Sequence, residues 1–149
     1  MQNNLNDLVK YLTPLLDKLS ASEMAKLNKK VGADLRKSQQ QRISSQANPD
    51  GSAYTPRRLR QGQRIRRKMF SKLRTTKYLR NFSNADKVSV GFLSQVNRIA
   101  SVHQFGFKDR VERNGPSVTY PKRELLGFSD ADVKLIEDSV LKHLDVIGK

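Results

Sequence analysis

Between Arg57 and Arg80 the chain carries eleven basic residues and no acid in 24 positions: Arg57, Arg58, Arg60, Arg64, Arg66, Arg67, Lys68, Lys72, Arg74, Lys77 and Arg80. Such a stretch cannot collapse on itself, because charges of one sign at this density repel and no internal carboxylate relieves them. It is either a solvated basic loop or a surface that faces a polyanion or an acidic partner. The whole chain has 29 Lys+Arg and 14 Asp+Glu, a net charge of +15. The remaining residues therefore hold 18 bases and 14 acids, a balance of only +4. The charge belongs to one segment rather than to the fold.

The apolar fraction is 36%, below the roughly 45–50% of an ordinary globular domain. This predicts a small core that neighbouring subunits complete. A length of 149 residues predicts one domain, 1–149, with the basic stretch as a loop or helix insertion at about 52–81. There is no cysteine, which excludes a disulfide scaffold, a thiolate zinc site and a cysteine nucleophile. No apolar run approaches the roughly 18–20 residues of a bilayer span, and the N-terminus lacks the order of a secretory leader, so no membrane partner is expected.

Hydrophobic spacing places the elements. Leu5, Leu8, Leu12, Leu15, Leu16 and Leu19 recur every three or four residues and predict a helix over 5–19. Pro14 either kinks it or opens a new helix capped by Thr13. Ser20 and Glu23 form a capping-box pattern ahead of a helix over 21–46, striped by Met24, Leu27, Val31 and Leu35. Beyond Leu35 the stripe thins to Ile43, so this end is expected to leave the core or to pair with another subunit. Asn48-Pro-Asp-Gly51 is a turn. Ile65, Met69 and Leu73 suggest a short basic helix within 63–81, in need of a neighbour. Val88, Val90 and Phe92 alternate as a strand over 87–93, and Ser117–Tyr120 is a second strand candidate. Val96, Ile99 and Val102 predict a helix closed by Gly106, and 107–116 reads as polar loop. Ser129 and Asp132 open a last helix, with Asp130 and Asp132 suited to its N-terminus. The expected class is α+β: three to four helices with a small antiparallel sheet holding 87–93 and 117–120, in a single domain with an extended basic segment.

Groups for catalysis do not converge. His103 and His143 are the only histidines. His143 lies near a helix C-terminus, where a cation is favoured, and His103 sits on an apolar patch as a packed or hydrogen-bonded side chain. Glu112, Glu124, Asp130 and Asp132 read as caps and solvated acids. No HExxH, GxSxG or phosphate-binding glycine loop is present. The chain reads as a non-enzyme with no cofactor and no metal. A nucleic-acid role would rest on phosphate neutralisation by the basic segment. Only Phe70, Tyr78 and Phe82 interleave with its bases, too few for a stacking platform.

Several segments taken in order resemble a known family: LRKSQQQRI (35–43), NPDGSAY (48–54), RRKMFSKLRTTKYLR (66–80), VGF (90–92), RIASVHQFGF (98–107) and YPKRELLGFSDADVKLIEDSVLKHL (120–144). They look like the phage virion morphogenesis, or tail completion protein S, family of contractile-tailed phages, from about residue 5 to residue 147. The resemblance implies a structural virion protein of the neck that assembles as a homo-oligomeric ring, hexameric or dodecameric, at the head–tail joint. It implies other neck, connector or tail-tube proteins as partners, non-specific contact with passing DNA, and a place in the virion after assembly in the host cytoplasm. An assembly chaperone absent from the finished particle and a non-specific nucleic-acid binder using 57–80 are the competing readings. The matching motif positions are His103, Gln104, Phe105, Gly106, Arg123, Leu126, Gly127, Ser129 and Asp132. The expected roles are a helix-ending Gly106, a sharp turn at Gly127, a cap by Ser129 with Asp132, and hydrogen bonds from His103 and Arg123 that tie their two blocks together. The family more commonly has Arg-Pro-Phe-Leu-Gly where this chain has Arg123-Glu-Leu-Leu-Gly127, which puts the backbone before Leu125 in question.

Overall fold

The computed structural model describes residues 2–58, 62 and 67–147. Four helices and four short strands follow in the order α1 (Gln2–Leu16), α2 (Ala21–Ser44), β1 (Leu79–Asn81), β2 (Val90–Phe92), α3 (Ser94–Phe105), β3 (Lys108–Arg110), β4 (Ser117–Thr119) and α4 (Asp130–Ile147). The class is α+β, as expected. The chain forms two compact units, each assembled from separated segments.

The first, the helical unit, comprises Met1–Ser38, Arg80–Gly91 and Phe128–Lys149. Its core is the leucine and valine stripe of three helices: Leu8 and Leu12 of α1, Leu27, Val31 and Leu35 of α2, and Val140 of α4. Met24, Val133, Ile136 and Leu144 pack on it in part. Each such side chain withdrawn from water contributes about 1.5–3 kcal/mol. Helix α1 runs through Pro14, so Pro14 neither starts a helix nor ends one. The Thr13 hydroxyl bonds back to the Val9 carbonyl at 2.6 Å and Asp17 N–H to the Thr13 carbonyl at 3.0 Å, which carries the turn past the proline.

Both capping boxes form. Glu23 N–H donates to Ser20 Oγ and Ser20 N–H to the Glu23 carboxylate, each at 3.2 Å. Asp132 N–H donates to Ser129 Oγ at 3.0 Å and Ser129 N–H to Asp132 Oδ2 at 3.1 Å. Asp132 is 1% exposed, and its other carboxylate oxygen accepts from the Ser38 hydroxyl of α2. One residue therefore closes the α4 cap and fastens α4 to α2. Asn28 Nδ2 of α2 holds the 84–85 turn through the Asn84 carbonyl at 2.8 Å.

The second, the basic unit, comprises Gln39–Leu79 and Phe92–Gly127. Helix α3 ends as its glycine predicts: Gly106 is left-handed (φ 68°) and its N–H bonds to the Val102 carbonyl. A Cβ there would also stand 3.1 Å from the Tyr120 carbonyl oxygen. Strands β3 and β4 pair antiparallel, Asp109 opposite Val118.

Three expectations are corrected. The proposed sheet of 87–93 with 117–120 does not exist: β2 pairs with β1, and β4 with β3. The polar stretch 108–110, read as loop, supplies β3. The basic helix within 63–81 is not seen in its described part, where 67–78 is a run of turns and 79–81 is β1. Phe70 has φ +65°, a left-handed residue that breaks any right-handed helix at that point. Ile65 and the start of that helix lie outside the described residues.

Candidate functional site

The basic unit is built around side chains that bond to distant backbone. The end of α2, expected to leave the core, instead buries Ile43 completely and leaves Gln39 only 4% exposed. Arg42 donates to three carbonyls, Ala47 at 3.0 Å, Glu124 at 2.9 Å and Leu125 at 3.0 Å, and to Gln39 Oε1 at 2.5 Å. Gln39 Oε1 also accepts from Gly127 N–H at 3.1 Å. Gln104 of α3 grips the same loop: its Oε1 accepts from Leu125 and Leu126 N–H at 2.9 Å each, and its Nε2 donates to the Leu126 carbonyl at 2.8 Å. Gln46 does this for the basic turns, accepting from Met69 N–H at 3.2 Å and donating to the Met69 carbonyl at 2.9 Å. Loop backbone that would otherwise be unsatisfied is thus paired, as burial demands.

The backbone before Leu125 has a definite partner. Glu124 N–H donates to Asn48 Oδ1 at 2.8 Å, a bond a proline could not make, and the Tyr54 hydroxyl donates to the Glu124 carbonyl at 2.9 Å. Burial raises the Tyr54 phenol above its ordinary value, partly opposed by Arg42. Gly127 is not a positive-φ turn. Its role is close approach, because a Cβ there would lie 2.5 Å from Pro49 Cγ.

Arg123 is 4% exposed. Its Nε donates to the Thr55 carbonyl at 2.7 Å, its Nη2 to the Pro56 carbonyl at 3.2 Å, and its Nη1 meets His103 Nδ1 at 3.4 Å. The Arg123 N–H also donates to the His103 carbonyl at 2.8 Å. Burial and the neighbouring Arg57 lower Arg123 from the usual guanidinium value. Burial, with the charge of Arg123, pushes His103 down to about 4, so its ring is neutral near pH 7. Four rings run edge to face through this region: Tyr54 on Phe70 at 5.8 Å, Phe70 on His103 at 4.8 Å and His103 on Tyr120 at 5.0 Å between centroids.

These residues border a cavity of about 920 Å³, lined by the 55–58 segment, Met69, Phe70, His103, the β3–β4 hairpin and Arg123. The eleven bases do not converge on it. Arg57 and Arg58 line it, whereas Arg67, Lys72 and Lys77 border a separate depression of about 490 Å³ with Tyr78. Lys77 lies over the Tyr78 ring at 5.2 Å, and Lys68 Nζ donates to the Ser44 carbonyl at 3.1 Å. Arg74 is half-buried, and Arg80 is exposed on β1 in the helical unit. Arg60, Arg64 and Arg66 lie outside the described residues. Counted over its segments, the basic unit holds 17 basic and 4 acidic residues, a balance of +13, against 12 and 10 in the helical unit. Beside this charge the unit exposes Ile99, Phe105, Phe107, Val111 and Val118, with the rings of Phe105 and Phe107 5.3 Å apart.

Among the family-motif positions, Gln104, Gly106, Arg123, Leu126 and Gly127 meet in the basic unit, Ser129 and Asp132 cap α4, and Phe105 is exposed. Gln39, Arg42, Gln46 and Tyr54 were not singled out individually by the sequence, and Asn48 only as the start of a turn. Their partners are backbone groups far along the chain, which leave no composition signal. Among the described residues no helix is long and apolar enough to cross a membrane.

The model of the phage virion morphogenesis family matches residues 3–145. The chain belongs to this family. It is 39% identical over 139 residues to tail completion protein S of Escherichia phage P2, covering 90% of this chain and 93% of that protein. No solved structure matches it. The motif residues of this family member do distinct work: Ser129 and Asp132 cap α4, Gly106 ends α3, and Gln104 and Arg123 clamp loop backbone.

Proposed function

We propose that the protein is a structural component that completes a phage tail, acting as a homo-oligomeric ring, hexameric or dodecameric, at the head–tail joint. The observation that carries this is the near full-length relation to a protein named for tail completion. The role needs binding surfaces and no catalysis. The exposed apolar residues around Phe105 and Phe107 suit contact with neighbouring subunits or with neck, connector or tail-tube proteins. The surplus of +13 on the basic unit suits acidic neighbours or passing DNA. The protein then works as one module over 1–149 and resides in the virion.

The test is a phage in which the gene for this protein is inactivated. Heads and tails are expected to accumulate unjoined, purified protein is expected to restore infectious particles, and reconstructions of whole particles should show six or twelve copies at the joint. Unchanged yield of infectious particles would contradict the reading. Restoration with no protein in the finished joint would replace it with an assembly chaperone. Tight, steeply salt-dependent DNA binding with no effect on particles would favour the non-specific nucleic-acid reading.

A further inference from the structure

We propose that the cavity of the basic unit is a docking site for an extended acidic segment of another protein, whose carboxylates meet Arg57 and Arg58 while an apolar side chain enters beside Phe70 and Val118. The inference deepens the tail-completion reading and rests on it for the setting, since a joint protein must bind other chains.

A volume of about 920 Å³ is that of a ligand-sized pocket, well beyond what one ordered water or ion needs. Its described lining contains three arginines and no Asp or Glu. Arg123 is anchored at the wall by the Thr55 and Pro56 carbonyls, so its charge cannot swing away. Arg57 disfavours the charged form of Arg123, a repulsion that a carboxylate between them would relieve. Arg57 and Arg58 are exposed and engaged in none of the described ion pairs.

The rest of the wall selects the occupant. Met69, Phe70, Val118 and Pro121 make much of the surface apolar, which rewards an aliphatic or aromatic anchor rather than a phosphate chain. The rings pack edge to face on one another, forming a wall instead of a platform on which bases stack. The occupant is not this chain's own acidic stretch. Asp130, Asp132, Glu137 and Asp138 lie in α4, whose Val133, Ile136 and Val140 are packed in the helical unit. Nor is it a second basic unit, which carries the same surplus of positive charge.

The probe is a fluorescein-labelled peptide, Asp-Glu-Asp-Leu-Phe-Glu-Asp-Glu, titrated with the full chain at about 150 mM salt and read by anisotropy. Replacing Leu-Phe by Ser-Ser, or the acids by their amides, should each weaken binding by roughly tenfold. Arg57→Glu with Arg58→Glu should weaken it by at least roughly tenfold, and Val118→Asp by several-fold, with circular dichroism confirming the fold. Lys72→Glu with Lys77→Glu, the same change in charge outside the cavity, should cost less than about threefold. Binding that follows net charge alone, with the Lys72/Lys77 variant as damaged as the Arg57/Arg58 variant, would overturn the site. So would a single-stranded oligonucleotide of equal charge that binds more tightly and is lost in the Arg57/Arg58 variant. Failure of the peptide with the protein present at the joint would sink only the docking site. A bound peptide together with particles that assemble without the protein would sink only the tail-completion reading.

Discussion

The two units of this molecule both bury apolar side chains but differ in charge and in how their loops are held. In the helical unit, Leu8, Leu12, Leu27, Val31, Leu35 and Val140 close an apolar core between three helices, and the charge is near balance. The basic unit also buries apolar side chains, Ile43, Leu79, Val102 and Leu125 among them. There, in addition, Gln39, Arg42, Gln46, Gln104 and Arg123 hold loop backbone by direct hydrogen bonds, and the net charge is +13. An apolar core sets volume and tolerates exchange of similar shapes. A polar clamp sets the path of a loop and tolerates little, because each bond has one geometry. The surface proposed for partners lies on the unit whose loops are fixed in this second way, as a preorganised binding surface requires.

Conservative substitutions separate the two modes. Leu27→Ala should cost about 2–5 kcal/mol in urea denaturation, while Leu27→Met should cost less than about 1.5. Arg42→Met should cost roughly 3 kcal/mol through the Ala47 and Leu125 carbonyls that lose their donor, and Arg42→Lys should recover little, since an ammonium cannot reach Ala47, Glu124 and Leu125 in one fork. A full rescue by lysine would mean that charge and not geometry holds the loop. Next in size, Gly127→Ala should cost about 1–3 kcal/mol by pressing a methyl group onto Pro49. In the helical unit, Ser129→Ala should cost about 1 kcal/mol as a lost cap, read by the same denaturation curves.

The last effect is on pH. His103 titrates at about 4 when folded and near 6.5 when unfolded, so the unfolded chain binds the extra proton between these values. This contribution to stability is complete above about pH 6.5 and is lost as pH falls towards 4. His103→Gln should therefore flatten the difference in melting temperature between pH 4 and 6.5, and an unchanged slope would assign it to the carboxylates.

Helices α2, α3 and α4 were legible because their ends carry local chemistry: the Ser20–Glu23 and Ser129–Asp132 boxes and the left-handed Gly106. The β3–β4 hairpin was not, because Lys108–Arg110 shows no alternation of apolar residues, although Asn114-Gly115 between them is a turn signal. The basic helix failed because Gln46 holds the Met69 backbone and the left-handed Phe70 packs its ring on Tyr54 and His103, so the segment does not follow a helical period. The clamp residues in the polar QQQR stretch looked solvated for want of any apolar pattern. Their partners include backbone groups more than 80 residues away, the Glu124 and Leu125 carbonyls and the Gly127 N–H, which a sequence scan does not see.

Hydrogen exchange resolved along the chain, at low and at high salt, tests the contrast most directly. Screening should relieve repulsion within the basic unit. Protection of amides in 42–56 and 98–127 is therefore expected to rise with salt, while that of α1, α4 and residues 21–38 stays unchanged. Equal salt dependence in both units, or a loss of protection in the basic unit as salt rises, would contradict the account.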